Sequence, residues 1–222
     1  MTLLDTMRQS VDSTIDSLAS AEFRPDPIAG TLFSRVVSVL SSAYKRHGSI
    51  IEKAILERLR ENPRYDVWGV EGFGIQNQAS ITVAAALNNP TSLYSTHLPY
   101  IGDHLGESRL QLDAVVFDKQ TNIVSSYEIK RGNGQFDAGK QRSMKREALL
   151  SKVLLRDHAI QRGFNAQDSR AHIVFYYGIR SIAAPLGLIG TELDDHFGMA
   201  IWDEVEIVNS YFRSRLFEII SQ

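Results

Sequence analysis

Three side chains that could carry out metal-assisted hydrolysis occur within one short segment of the chain. Asp113 lies in a run of alternating apolar residues at 112–117, and Glu128 and Lys130 lie in a second β-rich run at 123–130. Alternation with a period of two is typical of β-strands. The polar residues between the two runs are prone to form a turn. The sequence therefore predicts a β-hairpin that carries two carboxylates and one ammonium group.

The expected register of this hairpin brings the two acids together. If Asp118 pairs with Ile123 across a short loop, Asp113 lies directly opposite Glu128, with the two Cβ atoms within roughly 5.5 Å. Lys130 lies two positions beyond Glu128, so its side chain points to the same face of the sheet.

Such an arrangement suits a divalent cation. Two carboxylates that face each other across neighbouring strands repel and destabilise the sheet unless a cation lies between them. Mg²⁺ prefers oxygen ligands and is commonly held by one or two carboxylates together with water and substrate phosphate. An ammonium group beside the ion can orient or deprotonate a water molecule and offset charge on a phosphate. The alternative is an exposed Glu–Lys pair on a strand, without catalytic chemistry.

Asp113 followed by the triplet Glu128-Ile129-Lys130 resembles the signature of the PD-(D/E)XK nuclease superfamily, whose fold is restriction-endonuclease-like. The proline that often precedes the first aspartate in that superfamily is absent, and Leu112 takes its place. The resemblance implies that Asp113 and Glu128 bind the metal, with the carbonyl group of Ile129 as a third protein ligand. It also implies that Lys130 positions or activates the nucleophile.

The resemblance further implies an additional acid on a helix that precedes the sheet, and Glu52 is the candidate. His47-Gly48 is expected to end a helix that begins near residue 28, and Ser49 with Glu52 then resembles a capping box for a new helix at 50–60. Glu52 would bind a second metal ion or an outer water molecule. The alternative is that Glu52 only caps the helix. Glu57 and Glu71 are weaker candidates for the same role.

A long helix predicted from about Ala138 to Arg162 follows the hairpin, and basic residues concentrate near its start. Cationic side chains beside a helix N-terminus favour phosphate binding. The predicted nucleic-acid-binding residues are Arg131, Lys140, Gln141, Arg142, Lys145 and Arg146. The resemblance singles out Gln141 and Lys145 for contact with the scissile strand. A solvated helix face is the alternative.

The order of predicted elements indicates an α/β fold with a restriction-endonuclease-like αβββαβ core, in which helices flank a central mixed sheet. Strands are expected at 65–70, in the hairpin, at 170–178 and at 199–202, with additional N-terminal and C-terminal helices. The prediction is a single nuclease-like domain with a helical extension at 1–46, a core at 47–178 and a C-terminal strand and helix at 179–222.

The segment 71–106 allows two interpretations. Its Asn and Gln side chains could read base edges, and Tyr94, His97 and Tyr100 could stack on bases or touch phosphate. It is equally compatible with a core helix followed by a surface loop.

Composition narrows the class of protein. The chain has 222 residues, no cysteine and a formal net charge of −2. The lack of cysteine excludes disulfides and thiolate metal sites. No apolar run approaches the roughly 18 residues that a membrane span needs, and the N-terminus does not resemble a secretory signal. A slightly negative charge argues against nucleic-acid binding over the whole surface but allows a local basic face. We expect a cytoplasmic protein without membrane association or a small-molecule cofactor.

The predicted function is a Mg²⁺-dependent endonuclease that hydrolyses DNA, most consistent with a type II restriction endonuclease, and Mn²⁺ is expected to substitute for Mg²⁺. Because cleavage of both strands usually needs two active sites, a homodimer is expected. One alternative is a catalytically inactive nuclease-fold module that binds nucleic acid. A nonspecific or structure-specific nuclease of DNA repair or phage defence is another. Acid–base hydrolysis of glycosides fits poorly with Lys130 beside the acids.

Overall fold

The structure is a computed structural model that describes residues 2–132 and 134–221, and the side chains of residues 31 and 32 lie outside the description. The chain divides into two compact units, Met1–Arg58 with Asp194–Gln222, and Leu59–Leu193. The prediction of a single domain remains a prediction. None of the helices in the described part of the chain combines the length and the apolarity that crossing a membrane requires.

The first unit is helical. It contains α1 (Leu3–Ala19), most of α2 (Gly30–Arg60), most of α5 (Leu193–Phe197) and α6 (Trp202–Ile220). Thr2 begins α1 with a capping box to Asp5. Helix α1 packs against α6 and buries an apolar stripe formed by Leu3, Met7, Val11, Ile15 and Leu18. Asp12 on α1 binds both Tyr211 and Arg215 of α6, so a polar cluster fixes the relative position of the two helices.

The predicted break at His47-Gly48 is wrong, because α2 continues through both residues. Glycine inside a helix costs only about 1 kcal/mol relative to alanine. Contacts within the first unit stabilise the helix at this position. His47 is buried, its Nε2 lies 3.0 Å from Asn209 Oδ1, and its ring stacks on Phe212. Ser49 and Glu52 therefore lie inside the helix, and the predicted capping box does not exist.

The second unit carries the sheet. Its strands are β1 (Tyr65–Ile75), β2 (Ser108–Asp118), β3 (Ile123–Lys130), β4 (Asp168–Phe175) and β5 (Gly187–Ile189). Its helices are α3 (Asn77–Ala86) and α4 (Ala138–Gln161), with a 3₁₀ helix at Pro90–Ser95 and another at Gly190–Glu192. The architecture is thus α/β, with a five-stranded mixed sheet flanked by helices.

The strands lie in the order β1-β2-β3-β4-β5. The first three are antiparallel neighbours, whereas β4 runs parallel to β3 and β5 runs parallel to β4. A parallel neighbour requires a crossover, and α4 supplies it between β3 and β4. The crossover helix packs on both of these strands. Apolar residues of the sheet and of α4 form the core of this unit, among them Val115, Leu149 and Ile173.

Two further expectations need correction. No strand forms at 199–202, a segment that the structure describes in full, because the carboxylate of Asp194 accepts hydrogen bonds from the backbone N–H groups of Ile201 and Trp202. The last strand is instead β5 (Gly187–Ile189), where the sequence pattern predicted no strand. The first strand extends to Ile75, five residues beyond its predicted end at residue 70.

Candidate active site

The hairpin of β2 and β3 has the predicted register. Asp118 pairs with Ile123, and the ladder continues to the pair of Ala114 and Tyr127. The next positions along the two strands are Asp113 and Glu128. Regular pairing between β2 and β3 therefore ends immediately before the two acids.

A β-bulge lies at Asp113. On the other side of β2, Trp68 pairs with Val115 and Val70 pairs with Leu112, so two residues of β2 oppose the single residue Gly69. Bulges bend a strand and re-aim its side chains, and they are common beside active sites. Here the Oδ2 atom of Asp113 accepts a hydrogen bond of 3.4 Å from the backbone N–H of Ile129. The aspartate is thereby directed towards β3.

Glu128 and Lys130 lie on one face of β3, as the sequence predicted. Lys130 Nζ lies 2.7 Å from Glu128 Oε1, and both side chains are about one-third exposed or less. Burial alone lowers the pKa of Lys130. The hydrogen bond and the charge of Glu128, with contributions from Asp113 and Glu147, outweigh burial and raise the pKa above its ordinary value. The ammonium group is therefore held in its charged form by the acids around it.

Helix α4 closes the site from one side. Ser151 Oγ and Ser126 Oγ lie 2.8 Å apart, which fixes this part of the helix over β3. Glu147 lies one helical turn before Ser151, and Glu128 lies two residues after Ser126. The distance from serine to glutamate is roughly 6 Å along the helix and roughly 6.7 Å along the strand. Because these two distances are similar, the two glutamates approach each other.

The acids share a small cavity. Asp113, Glu128 and Glu147 line a space of about 40 Å³, together with Ser126 and Ser151. One water molecule needs roughly 10–15 Å³ of such a cavity volume, so the cavity has room for an ion with a few waters. Carboxylate oxygens are the ligands that Mg²⁺ prefers. Asp113 and Glu128 are the two carboxylates that would hold the predicted metal, and the ion would have to share Glu128 with Lys130.

Glu147 is a site residue that the sequence analysis missed. Its Oε1 atom accepts a hydrogen bond of 2.7 Å from Ser143 Oγ, one turn earlier on α4. Within the described residues, no three carboxylate or imidazole side chains are close enough together to hold a metal ion. Glu147 therefore lines the cavity without completing a three-ligand set.

The other predicted site residues remain predictions. Glu52 lies on α2 in the first unit, where its side chain is half-buried. The backbone N–H of Ile129 contacts Asp113, while the role of its carbonyl group as a ligand stays a prediction. Arg131 follows β3 directly, and its guanidinium carbon lies 5.8 Å from the centre of the Tyr177 ring. The turn after β3 was expected to include Asn133, which lies outside the described residues.

The predicted basic face separates into two parts. Gln141, Arg142 and Lys145 line a groove of about 480 Å³ beside α4, whereas Lys140 and Arg146 are exposed and do not line it. Gln141 Nε2 also donates a hydrogen bond to the carbonyl group of Phe136, just before the helix begins.

The aromatic residues of the segment 71–106 have different surroundings. Tyr100 is buried and its hydroxyl group donates a hydrogen bond to Asp103. His97 Nε2 lies 3.3 Å from Asp168 Oδ1, and His97 Nδ1 lies 3.2 Å from Ser169 Oγ. The contacts of Tyr100 and His97 are structural, in agreement with the interpretation of this segment as a core helix followed by a surface loop. Only Tyr94 lines the groove beside α4.

Comparison of the chain with protein-family models, with curated proteins and with solved structures finds no match. The interpretation of the site therefore depends on its geometry and on the resemblance of the Asp113 and Glu128-Ile129-Lys130 pattern.

Proposed function

We propose that this chain is a Mg²⁺-dependent endonuclease that hydrolyses phosphodiester bonds in DNA, of the type II restriction endonuclease class. The observation that carries the proposal is the convergence of Asp113, Glu128 and Lys130 on one side of two neighbouring strands. Asp113 and Glu128 border the cavity, and Lys130 is paired to Glu128. Two carboxylates and an ammonium group in this arrangement suit attack of water on a phosphate.

The architecture supports the same proposal. Along the chain, three antiparallel strands precede a crossover helix and a parallel fourth strand, with α3 and a 3₁₀ helix inserted between the first two strands. This order is compatible with the βββαβ part of the core that the resemblance to the PD-(D/E)XK superfamily implies. The acids occupy β2 and β3, and the ammonium group lies at the end of β3, which are the positions that the resemblance assigns to them.

Each residue has a proposed role. Asp113 and Glu128 would hold the ion, with Mn²⁺ able to replace Mg²⁺. The bound metal would supply Lewis acidity towards the phosphate and lower the pKa of a coordinated water molecule. Lys130 would orient the attacking water and offset the negative charge of the scissile phosphate. The cations along α4 would hold the substrate backbone, and their contribution is expected to weaken as the salt concentration rises.

A second candidate function is a nuclease-fold module that binds nucleic acid without cleaving it. The close pair between Lys130 and Glu128 favours it, since an internal ammonium group already neutralises one of the two presumed ligands. Calorimetric titration with Mn²⁺ separates the two functions. A binding site that is lost in Glu128→Ala supports the nuclease, and the lack of any divalent-metal site in the unmodified protein supports the inactive module.

The decisive experiment is incubation of the protein with supercoiled plasmid, linear DNA and RNA, in Mg²⁺ and in EDTA, followed by gel electrophoresis. Discrete DNA fragments in Mg²⁺ only are the expected result. A smear would indicate a nonspecific or structure-specific nuclease instead.

Asp113→Asn and Lys130→Ala should each reduce cleavage at least a thousandfold. Glu107→Gln, which changes an exposed acid just before β2, is the matched control and should keep full activity. Full activity of either site variant would refute the assignment.

A further inference from the structure

A groove separate from the acid cavity lies beside the first half of α4. We define the α4 groove by Tyr94, Gln141, Arg142, Lys145, Leu87 and Ile182, which are among the residues that line it. Its volume is about 480 Å³, within the range of roughly 300–1,000 Å³ that small-ligand sites in proteins occupy. A groove of this size has room for a single nucleotide.

The walls of the α4 groove combine an aromatic face with apolar side chains. Tyr94 is half-buried and packs against the core, while Leu87 and Ile182 are buried core residues. The half-buried ring is partly desolvated, and this burial raises the pKa of the Tyr94 hydroxyl group. Aromatic rings in such grooves stack against nucleic-acid bases without regard to sequence.

Two cations complete the groove. Neither Arg142 nor Lys145 forms an ion pair with any residue that the structure describes, although Lys145 is half-buried. A half-buried cation without an internal partner is suited to an anionic ligand. The aromatic wall and the cations together match the two parts of a nucleotide, its base and its phosphate.

The α4 groove and the acid cavity share one helix. Gln141 borders the groove and Glu147 borders the cavity, and these residues are about 120° apart around the helix and roughly 9 Å apart along its axis. A strand that passes from one site to the other would cross the N-terminal half of α4, where the unpaired cations lie.

We propose that the α4 groove binds one unpaired nucleotide of a DNA strand, with the base against Tyr94 and the phosphate between Arg142 and Lys145. This inference goes beyond the proposed nuclease function, because cleavage of duplex DNA by a restriction endonuclease does not require an unpaired nucleotide. Binding of the nucleotide itself needs no metal and no cleavage, so the two proposals can fail separately.

The test is fluorescence anisotropy with a labelled single-stranded oligonucleotide, the corresponding duplex and an abasic strand of the same length, all in EDTA. The single strand should bind at least tenfold more tightly than the duplex and the abasic strand. Tyr94→Ala should weaken binding of the single strand about tenfold, whereas Tyr94→Phe, which keeps the ring, should change it less than twofold. Equal binding of the abasic strand would overturn the proposal, since it would mean recognition of phosphate alone.

The cations are tested in the same assay. Arg142→Ala and Lys145→Ala should each weaken single-strand binding and reduce its dependence on salt. Lys45→Ala removes an exposed cation from α2 and is the charge-matched control, which should bind as the unmodified protein does. Circular dichroism spectra and thermal unfolding verify that each variant is folded. Unchanged binding by the folded Tyr94→Ala and Arg142→Ala variants would overturn the proposal.

The outcomes also separate the two proposals. Groove-dependent binding by a protein that never cleaves in Mg²⁺ would retain the nucleotide site and reject the nuclease. Cleavage of DNA in Mg²⁺ by a protein whose single-strand binding is unaffected by Tyr94→Ala would retain the nuclease and reject the nucleotide site. Competition by an acidic peptide as effective as that by the single strand would reject the nucleotide site as well.

Discussion

Lys130 Nζ lies 2.7 Å from Glu128 Oε1, so the presumed catalytic lysine and a presumed metal ligand are already partners. A divalent cation that binds at Glu128 must approach a fixed positive charge. The pair therefore stabilises the site in the absence of metal and opposes the metal at the same time. The pair therefore links the affinity of the proposed metal site to the charge at position 130.

The first prediction follows from this competition. Lys130→Met removes the positive charge while keeping most of the aliphatic side chain. We expect Mn²⁺ to bind roughly three- to tenfold more tightly in this variant, since like charges a few ångströms apart repel measurably near a protein surface. Cleavage should be lost despite the tighter binding. Isothermal titration calorimetry measures the affinity, and a plasmid-nicking assay measures the activity.

Lys130→Arg serves as the control, since it keeps the charge and should leave the affinity for Mn²⁺ near that of the unmodified protein. Weaker metal binding in Lys130→Met would contradict the competition. It would indicate that the lysine organises the carboxylates instead of repelling the ion.

The second prediction concerns Glu147, which borders the cavity opposite the hairpin. Glu147→Gln keeps the size of the side chain and removes its charge. We expect metal affinity to fall about tenfold, as is typical when an outer-shell partner is removed, and cleavage to fall without being abolished. Asp113→Asn should abolish cleavage under the same conditions. Equal losses in the two variants would make Glu147 a direct ligand, and no loss in Glu147→Gln would leave it a structural residue bound to Ser143.

The hairpin could be predicted from the sequence because both its pattern and its turn act over short distances. Alternation with a period of two fixes which side chains share a face, and the length of the turn fixes the register. Asp118 and Ile123 are five residues apart, so no tertiary contact has to be known. The same local rules place Asp113 and Glu128 one position beyond Ala114 and Tyr127, which form the last pair of the ladder.

The position of Glu147 could not be predicted in this way. Residues 148–155 of α4 are all buried, including the polar residues Ser151 and Lys152, so the polar side chains of this segment do not mark a solvent-facing side. In a helix that is buried all round, only the packing decides which residue faces the sheet. The hydrogen bond between Ser126 and Ser151 provides that information, and it joins residues on separate elements.

The continuity of α2 through Gly48 could not be predicted from the sequence for a related reason. Gly48 weakens a helix locally, but His47 contacts Asn209 and Phe212, more than 160 residues later in the sequence. Propensity is a weak guide where tertiary contacts of this kind act. The predicted strand at 199–202 failed similarly, since the Asp194 side chain satisfies two backbone N–H groups there.

The last prediction concerns His158 of α4, a buried imidazole of the second unit. Its ring makes edge contacts with Phe73 and Tyr100, its Nδ1 lies 3.8 Å from Asp103 Oδ1, and its Nε2 has no hydrogen-bond partner among the described residues. Burial lowers the pKa of His158 to about 4, and the nearby Asp103 only partly opposes this effect.

The imidazole is therefore neutral in the folded protein at neutral pH. Between about pH 6.5 and pH 4 the unfolded chain binds a proton at His158 that the folded chain does not bind. The contribution to stability is fully present above pH 6.5 and is lost progressively as the pH falls towards 4. Over the whole window the loss is about 3 kcal/mol in the free energy of unfolding.

His158→Leu should flatten this dependence, because leucine fills much of the same space and cannot bind a proton. Urea unfolding at several values between pH 4.5 and pH 7.5 measures the slope for both proteins. His104→Asn removes an exposed imidazole from a left-handed loop position that asparagine tolerates, and it should retain the slope because His158 is still present. An unchanged slope in His158→Leu would mean that other groups control the acid sensitivity of this unit.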